Sequence, residues 1–95
     1  MDVLQLRSVW KRRYGFAAAT FLSYLVESEP DDAEWFPAPL STLDRRFHIS
    51  PSVVAHARDK LTSDGVIRFR YLPGGYEYRI DHQRLAEIEA EKGQQ

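Results

Sequence analysis

With 95 residues, the chain is long enough for one domain and too short for two. Hydrophobic residues make up 43% of it, which is enough for a modest core, and the lack of cysteine excludes disulfides, thiolate metal sites and thiol catalysis. A net charge of −1 is unusual for a nucleic-acid-binding protein, but the acids are concentrated between Glu27 and Glu34 and in the C-terminal tail. The remainder of the chain is basic, and local potential rather than net charge steers a polyanion.

The N-terminal part predicts two helices. Residues 1–13 are expected to form a helical extension, and Gly15 to mark a break or bend. The alanine-rich stretch Phe16–Ser28 has Phe21 and Leu25 at helical spacing, which predicts the second helix. No apolar run is long enough to span a bilayer, and the N-terminus lacks the order of a signal peptide, so we expect a soluble cytoplasmic protein.

A short strand and a short helix are predicted next. Trp35-Phe36 is expected to pair with a later hairpin at the edge of the sheet, and Pro37 and Pro39 to end that strand. The segment from Leu40 to Phe47 predicts a helix of two turns. His48 would occupy the following turn in a left-handed conformation, which histidine tolerates better than most residues.

A second helix of the pair begins at Ser50, a favourable N-cap, with Pro51 at the first helical position. It is expected to run to about Ser63, and Gly65 is placed to end it. Three positions share one side of this helix and are expected to face the core: Val54, Ala57 and Leu61.

The segment after Gly65 predicts a β-hairpin and a last helix. Val66–Leu72 alternates, with Ile67, Phe69 and Tyr71 toward the core and arginines on the other face. Pro73-Gly74-Gly75 turns the chain into a second alternating strand that carries Arg79 outward. Asp81 is placed to cap a helix from His82 to about Lys92, and the last three residues are expected to fray.

Several strings of this sequence match one fold family. They are YGFAAATFLSYL, the pair Trp35-Phe36, the set Leu43, Phe47, Ile49 and Ser50, the set Leu61, Gly65, Val66 and Ile67, and the string Tyr78-Arg79-Ile80-Asp81. From Tyr14 to Leu85 the chain resembles the winged helix-turn-helix domains of phage and plasmid replication-type proteins, and more loosely those of transcription regulators. The order of the predicted elements is also the order of a winged helix-turn-helix.

The resemblance implies an α+β, mostly α, fold in a single domain, 1–95. Its three-helix core and β-hairpin wing would cover residues 14–81, with a helical extension over 1–13 and a C-terminal helix and tail over 82–95. It also implies DNA binding, in transcription regulation or replication of a phage or mobile element. The sequence departs from the family on the outer side of the second helix, where small and nearly neutral residues replace the usual basic or polar ones. Pro39 also stands where a hydroxyl or Asx cap is usual.

Two sets of residues are the candidates for contact with double-stranded DNA. On the second helix of the pair they are Ser50, Ser52, Val53, Ala55 and His56, which would read base edges and thymine methyl groups in the major groove. On the wing and the first helix they are Arg45, Arg46, Arg68, Arg70 and Arg79, which would hold phosphates. The alternative interpretation of both sets is an ordinary solvated surface.

Apolar residues at the two ends of the chain lie outside the minimal core of that fold. Leu6, Trp10, Leu85 and Ile88 are the candidates for the interface of a homodimer on a two-fold symmetric site; alternatively, they wrap the core. The acidic segment Glu27–Glu34 is either a solvated loop, a surface that repels DNA on the back face, or a site for a basic protein partner.

We expect no enzyme activity, no cofactor and no metal site. His48, His56 and His82 lack metal-binding spacing, no phosphate-binding glycine motif is present, and nothing activates a nucleophile. A rival hypothesis is a winged-helix adaptor or inhibitor that binds a protein, such as a polymerase, a replisome component or a host-defence component. The neutral second helix, the acidic segment and the near-neutral total favour that rival.

Overall fold

The computed structural model describes residues 8–30, 34–39 and 41–90. Their elements are the helices α1 (Ser8–Tyr14), α2 (Phe16–Ser28), α3 (Ser41–Phe47), α4 (Pro51–Ser63) and α5 (His82–Ala90), and the strands β1 (Phe36–Pro37), β2 (Ile67–Leu72) and β3 (Gly75–Ile80). The fold is α+β and mostly helical, with a small three-stranded antiparallel sheet, as the sequence predicted. Predictions for residues 1–7, including Leu6, and for the last five residues lie outside the described ranges.

Local signals in the sequence account for the helix boundaries. Gly15 separates α1 from α2 with a φ of 87°, a value that favours glycine. His48 has a φ of 56°, so the predicted left-handed turn between α3 and α4 is confirmed. The Ser50 side chain accepts a hydrogen bond from the Val53 backbone N–H at 3.4 Å, and Pro51 opens α4. Asp81 caps α5, since its Oδ1 accepts from the Arg84 backbone N–H at 2.9 Å.

The sheet has the order β1-β3-β2, so the hairpin strand β3 is its centre. β1 pairs with β3 as expected, but it consists of Phe36 and Pro37 rather than Trp35 and Phe36. Pro37 was predicted to end the strand, and instead it lies opposite Glu77. A proline is compatible with an edge strand, because its missing N–H is not needed on the unpaired side.

The apolar face of the hairpin packs on the core as far as Phe69 and Tyr76, which are half-buried, and only its tip is exposed. Ile67 and Tyr78 are fully buried, and the Tyr78 ring meets Phe21 of α2 edge-on at a centroid distance of 5.7 Å. Tyr71 was expected to face the core, but it is 72% exposed. The hairpin extends past the residues that pack against the core, so the side chains of Tyr71 and Leu72 at its tip are exposed.

The two terminal helices belong to the core and are not appended to it. Trp10, Leu85 and Ile88 are only 3%, 7% and 0% exposed, and they belong to the same hydrophobic cluster as Val54 and Leu61 of α4. α1 contacts both α4 and α5. The assignment of these three residues to a dimer interface is therefore corrected: their side chains cover the core of their own chain.

Candidate nucleic-acid interface

Helix α4 presents the first predicted contact set to solvent. Ser52 and His56 are exposed, Val53 is 41% exposed, and Ala55 is half-buried. Their orientation follows from the opposite side of α4, where Val54, Ala57 and Leu61 are buried as the helical spacing predicted. Ser50 is committed in part to its own helix, because its Oγ caps α4 and lies 3.2 Å from the Ser52 Oγ.

A shallow groove of about 360 Å³ runs between α4 and the start of α2. Ser52, Val53 and His56 form one of its walls, and Ala17 lies on the other side. Lys60 also lines the groove, and its Nζ donates to the Tyr14 carbonyl at 3.2 Å. The outward residues of α4 therefore border an apolar depression and do not stand on a convex surface.

The hairpin brings the predicted wing arginines onto one face. Arg68 lies directly opposite Arg79, and Arg70 lies opposite Glu77. Arg70 is held by this pairing, since its Nε and Nη2 donate to Glu77 Oε1 at 2.9 and 2.7 Å. Its guanidinium also lies over the Trp35 ring, 4.4 Å from the ring centroid. We call Arg68, Arg70 and Arg79 the arginine face.

Two members of the acidic segment lie beside predicted DNA-contacting arginines. Glu34 approaches Arg79 at 3.4 Å, and Glu27 approaches Arg46 at 3.3 Å. At these two residues the acidic segment therefore adjoins the predicted DNA-contacting arginines. Within the described ranges, Arg68 and Arg45 are exposed and form no ion pair. The most available positive charges of the predicted set are thus on these two residues.

Arg58 has a structural role that the sequence analysis did not assign. Its guanidinium carbon lies 4.4 Å from the Tyr76 ring centroid and 4.9 Å from that of Phe69. The two rings contact each other edge-on at 5.8 Å. Arg58 therefore connects α4 to the aromatic side of the hairpin. Its guanidinium group is engaged by these two rings and is not counted among the predicted DNA contacts.

Asp64, at the end of α4, is the centre of an ion-pair cluster that the sequence analysis also missed. Its carboxylate accepts from Arg13 at 2.8 and 3.0 Å, from Arg84 at 3.0 Å and from the Tyr14 hydroxyl. The hydrogen bonds from Arg13 hold the pKa of Asp64 well below its usual value, whereas burial raises the pKa of Tyr14 above its own. The cluster ties α1 and α5 to the end of α4.

Three further observations concern metal sites, membrane spans and similarity to known proteins. No group of three or more His, Asp or Glu side chains within them is arranged to hold a metal ion. None of the helices between Ser8 and Ala90 is both long and apolar enough to cross a membrane. Comparisons of the chain with protein-family models, with curated proteins and with solved structures found no match.

Proposed function

We propose that this chain is a non-enzymatic, winged helix-turn-helix protein that binds double-stranded DNA. In this proposal α3 and α4 are the helix-turn-helix, and the β2–β3 hairpin is the wing. The resemblance described above further suggests a role in transcription regulation or replication of a phage, plasmid or other mobile element, in the cytoplasm.

The observation that carries the proposal is the coupling of an outward helix face to an arginine-bearing hairpin. α4 exposes Ser52, Val53 and His56, and Arg58 joins this helix to the hairpin that carries Arg68. A helix fits the major groove, and guanidinium groups suit the phosphates that flank it. One rigid unit thus offers both kinds of contact.

Most of the binding free energy comes from phosphates in this proposal. Arg68 and Arg45 contact them directly, whereas Arg46, Arg70 and Arg79 exchange a carboxylate for a phosphate oxygen. Base reading by α4 is limited, because the predicted set contains few polar side chains. They are His56, the capping Ser50, and Ser52, whose Oγ lies 3.2 Å from the Ser50 Oγ. We therefore expect firm backbone binding with modest sequence discrimination.

The test is the salt dependence of binding to a fluorescein-labelled random duplex, followed by anisotropy between 50 and 200 mM salt. Each phosphate contact contributes about 0.9 to the log–log slope, so Arg68→Ala is expected to lower the slope by about one unit on any sequence. Arg68→Lys, the matched control, keeps the charge and is expected to keep the slope. An unchanged slope in Arg68→Ala would overturn the role of the wing.

A protein-binding adaptor is the second candidate function. Carboxylates already neutralise Arg46, Arg70 and Arg79, and the α2–α4 groove has an apolar floor that suits a side chain of a partner. The same titration separates the two functions. Non-specific DNA binding has a Kd of about 10⁻⁴–10⁻⁶ M even at physiological salt, so no binding at micromolar protein and low salt would favour the adaptor.

A further inference from the structure

We infer that the hairpin tip, Tyr71–Tyr76, is an apolar wedge that inserts between base pairs from the minor groove and bends the DNA. This inference rests on the proposed DNA binding and adds a second mode of contact to it. The ligand is a deformable duplex step, and the inserting side chains are Tyr71 and Leu72.

The tip exposes apolar surface that the fold does not use. Tyr71 is 72% exposed and Leu72 is 36% exposed, although both lie in the regular ladder of β2. They are the only large hydrophobic residues of the hairpin with this degree of exposure in the described ranges. Together these two neighbouring side chains form a small apolar surface at the end of the hairpin, which we assign to contact with DNA.

The tip carries no charge, and the nearby arginine is turned away from it. The six residues from Tyr71 to Tyr76 are all uncharged. Arg70, the last cation before them, is bound to Glu77 and lies over Trp35. Such a tip is poorly suited to phosphates, whereas base faces and the sugar edges of the minor groove are apolar. Apolar wedges between base steps are a known means of kinking a duplex by about 20–90°.

The tip is also held rigidly enough to act as a wedge. Tyr71 packs edge-on against Tyr76 at a centroid distance of 5.2 Å, and Tyr76 packs in turn against Phe69. Arg58 of α4 covers Tyr76 and Phe69 from the helix side. The position of Tyr71 is thus fixed relative to α4, so that docking of α4 would deliver the tip to a defined step. Pyrimidine–purine steps such as TA unstack most easily, and binding should favour them at that position.

The experiment combines a bending readout with an affinity readout on the full chain. Duplexes labelled at both ends report the bend by energy transfer, and 2-aminopurine beside a central TA step reports unstacking. The intact protein is expected to shorten the end-to-end distance and to raise the 2-aminopurine fluorescence. Tyr71→Ser with Leu72→Ser is expected to abolish both signals and to weaken binding about tenfold, which is within the range for loss of base–aromatic stacking.

Two control variants distinguish failure of the wedge inference from failure of the proposed DNA binding. Tyr71→Trp retains a large flat ring and is expected to retain bending, while Arg68→Ala is expected to weaken binding without removing the bend of the bound fraction. Circular dichroism melting curves verify that each variant folds. Binding without any bend or unstacking in the intact protein, or an unchanged bend in the double serine variant, would overturn the wedge alone. Failure of all duplexes to bind would overturn the DNA-binding proposal itself.

Discussion

At the scale of single residues, Asp64 determines how three helices meet. It follows α4 immediately, and its partners Arg13 and Arg84 are 51 and 20 positions away along the chain. The two guanidinium groups and the Tyr14 hydroxyl surround one carboxylate, so removal of that carboxylate takes a hydrogen-bond acceptor from all three. Charge-assisted hydrogen bonds of this kind are stronger than neutral ones.

The pKa of Asp64 makes this cluster sensitive to acid. Because the folded-state pKa lies below the ordinary value of 3.8, the stabilisation is fully present above about pH 4 and is lost as the pH falls below it. Asp64→Asn is expected to lower the free energy of unfolding by about 1–2 kcal/mol at pH 7, a modest figure because solvent screens a partly exposed carboxylate. Urea unfolding between pH 7 and pH 2 checks this: the difference in the free energy of unfolding between the two proteins should shrink steadily below about pH 4, and a difference independent of pH would contradict the assignment.

At the scale of the elements, the hairpin depends on α4 for its position. Arg58 is the α4 residue whose guanidinium covers Phe69 and Tyr76, beyond the buried base of the hairpin. Its two cation–π contacts act on half-buried rings of β2 and β3 that pack at the edge of the hydrophobic core. Arg58 thus adds a second connection between α4 and the hairpin, beside the buried contacts of Ile67 and Tyr78 with the core.

Replacing Arg58 tests this dependence. Arg58→Ala is expected to lower the free energy of unfolding by about 1–2 kcal/mol, since two partly buried cation–π contacts are lost. It is also expected to speed amide hydrogen exchange at Tyr71 and Tyr76 more than at Leu61. The matched control is Arg45→Ala, an exposed arginine without an ion pair in the described ranges, whose effect should remain within about 0.5 kcal/mol. Equal effects of the two substitutions would contradict the anchoring role.

At the scale of the whole molecule, two carboxylates of the chain form ion pairs with arginines that are predicted to contact DNA. Glu27 and Glu34 flank Arg46 and Arg79, while the net charge of the chain is only −1. In the proposed function these acids compete with phosphate and lower the affinity for non-specific DNA. Such competition would confine binding to sites where further contacts are made.

Neutralising the two acids tests that competition. Glu27→Gln with Glu34→Gln is expected to strengthen binding to random duplex at low salt by about tenfold and to steepen the salt slope by up to two units, as Arg46 and Arg79 become available. Glu87→Gln with Glu89→Gln makes the same change in net charge on α5. It is the control because it releases Arg84, which lies outside the predicted contact set, rather than Arg46 or Arg79. If both pairs of substitutions raise the affinity equally, long-range charge accounts for the effect and the two ion pairs do not.

The features that could be predicted from the sequence are those with a local cause. The turn at His48, the cap at Ser50 and the buried side of α4 each follow from residues no more than seven positions apart. The roles of Asp64 and Arg58 could not be predicted in this way, because their partners are distant in sequence. The apolar character of Trp10 and Ile88 indicated that both side chains are buried. It could not show whether they are buried in the core of their own chain, as the structure has them, or against a second copy.

The indole of Trp35 beneath Arg70 has a practical consequence. The chain has two tryptophans, and Trp10 is sealed in the core, so its emission should remain constant while the fold is intact. Trp35 is half-buried and lies against a cation that is itself paired with Glu77. Any ligand that draws Arg70 away leaves that indole in a different electrostatic environment. The unlabelled protein therefore contains an optical reporter of its own arginine face.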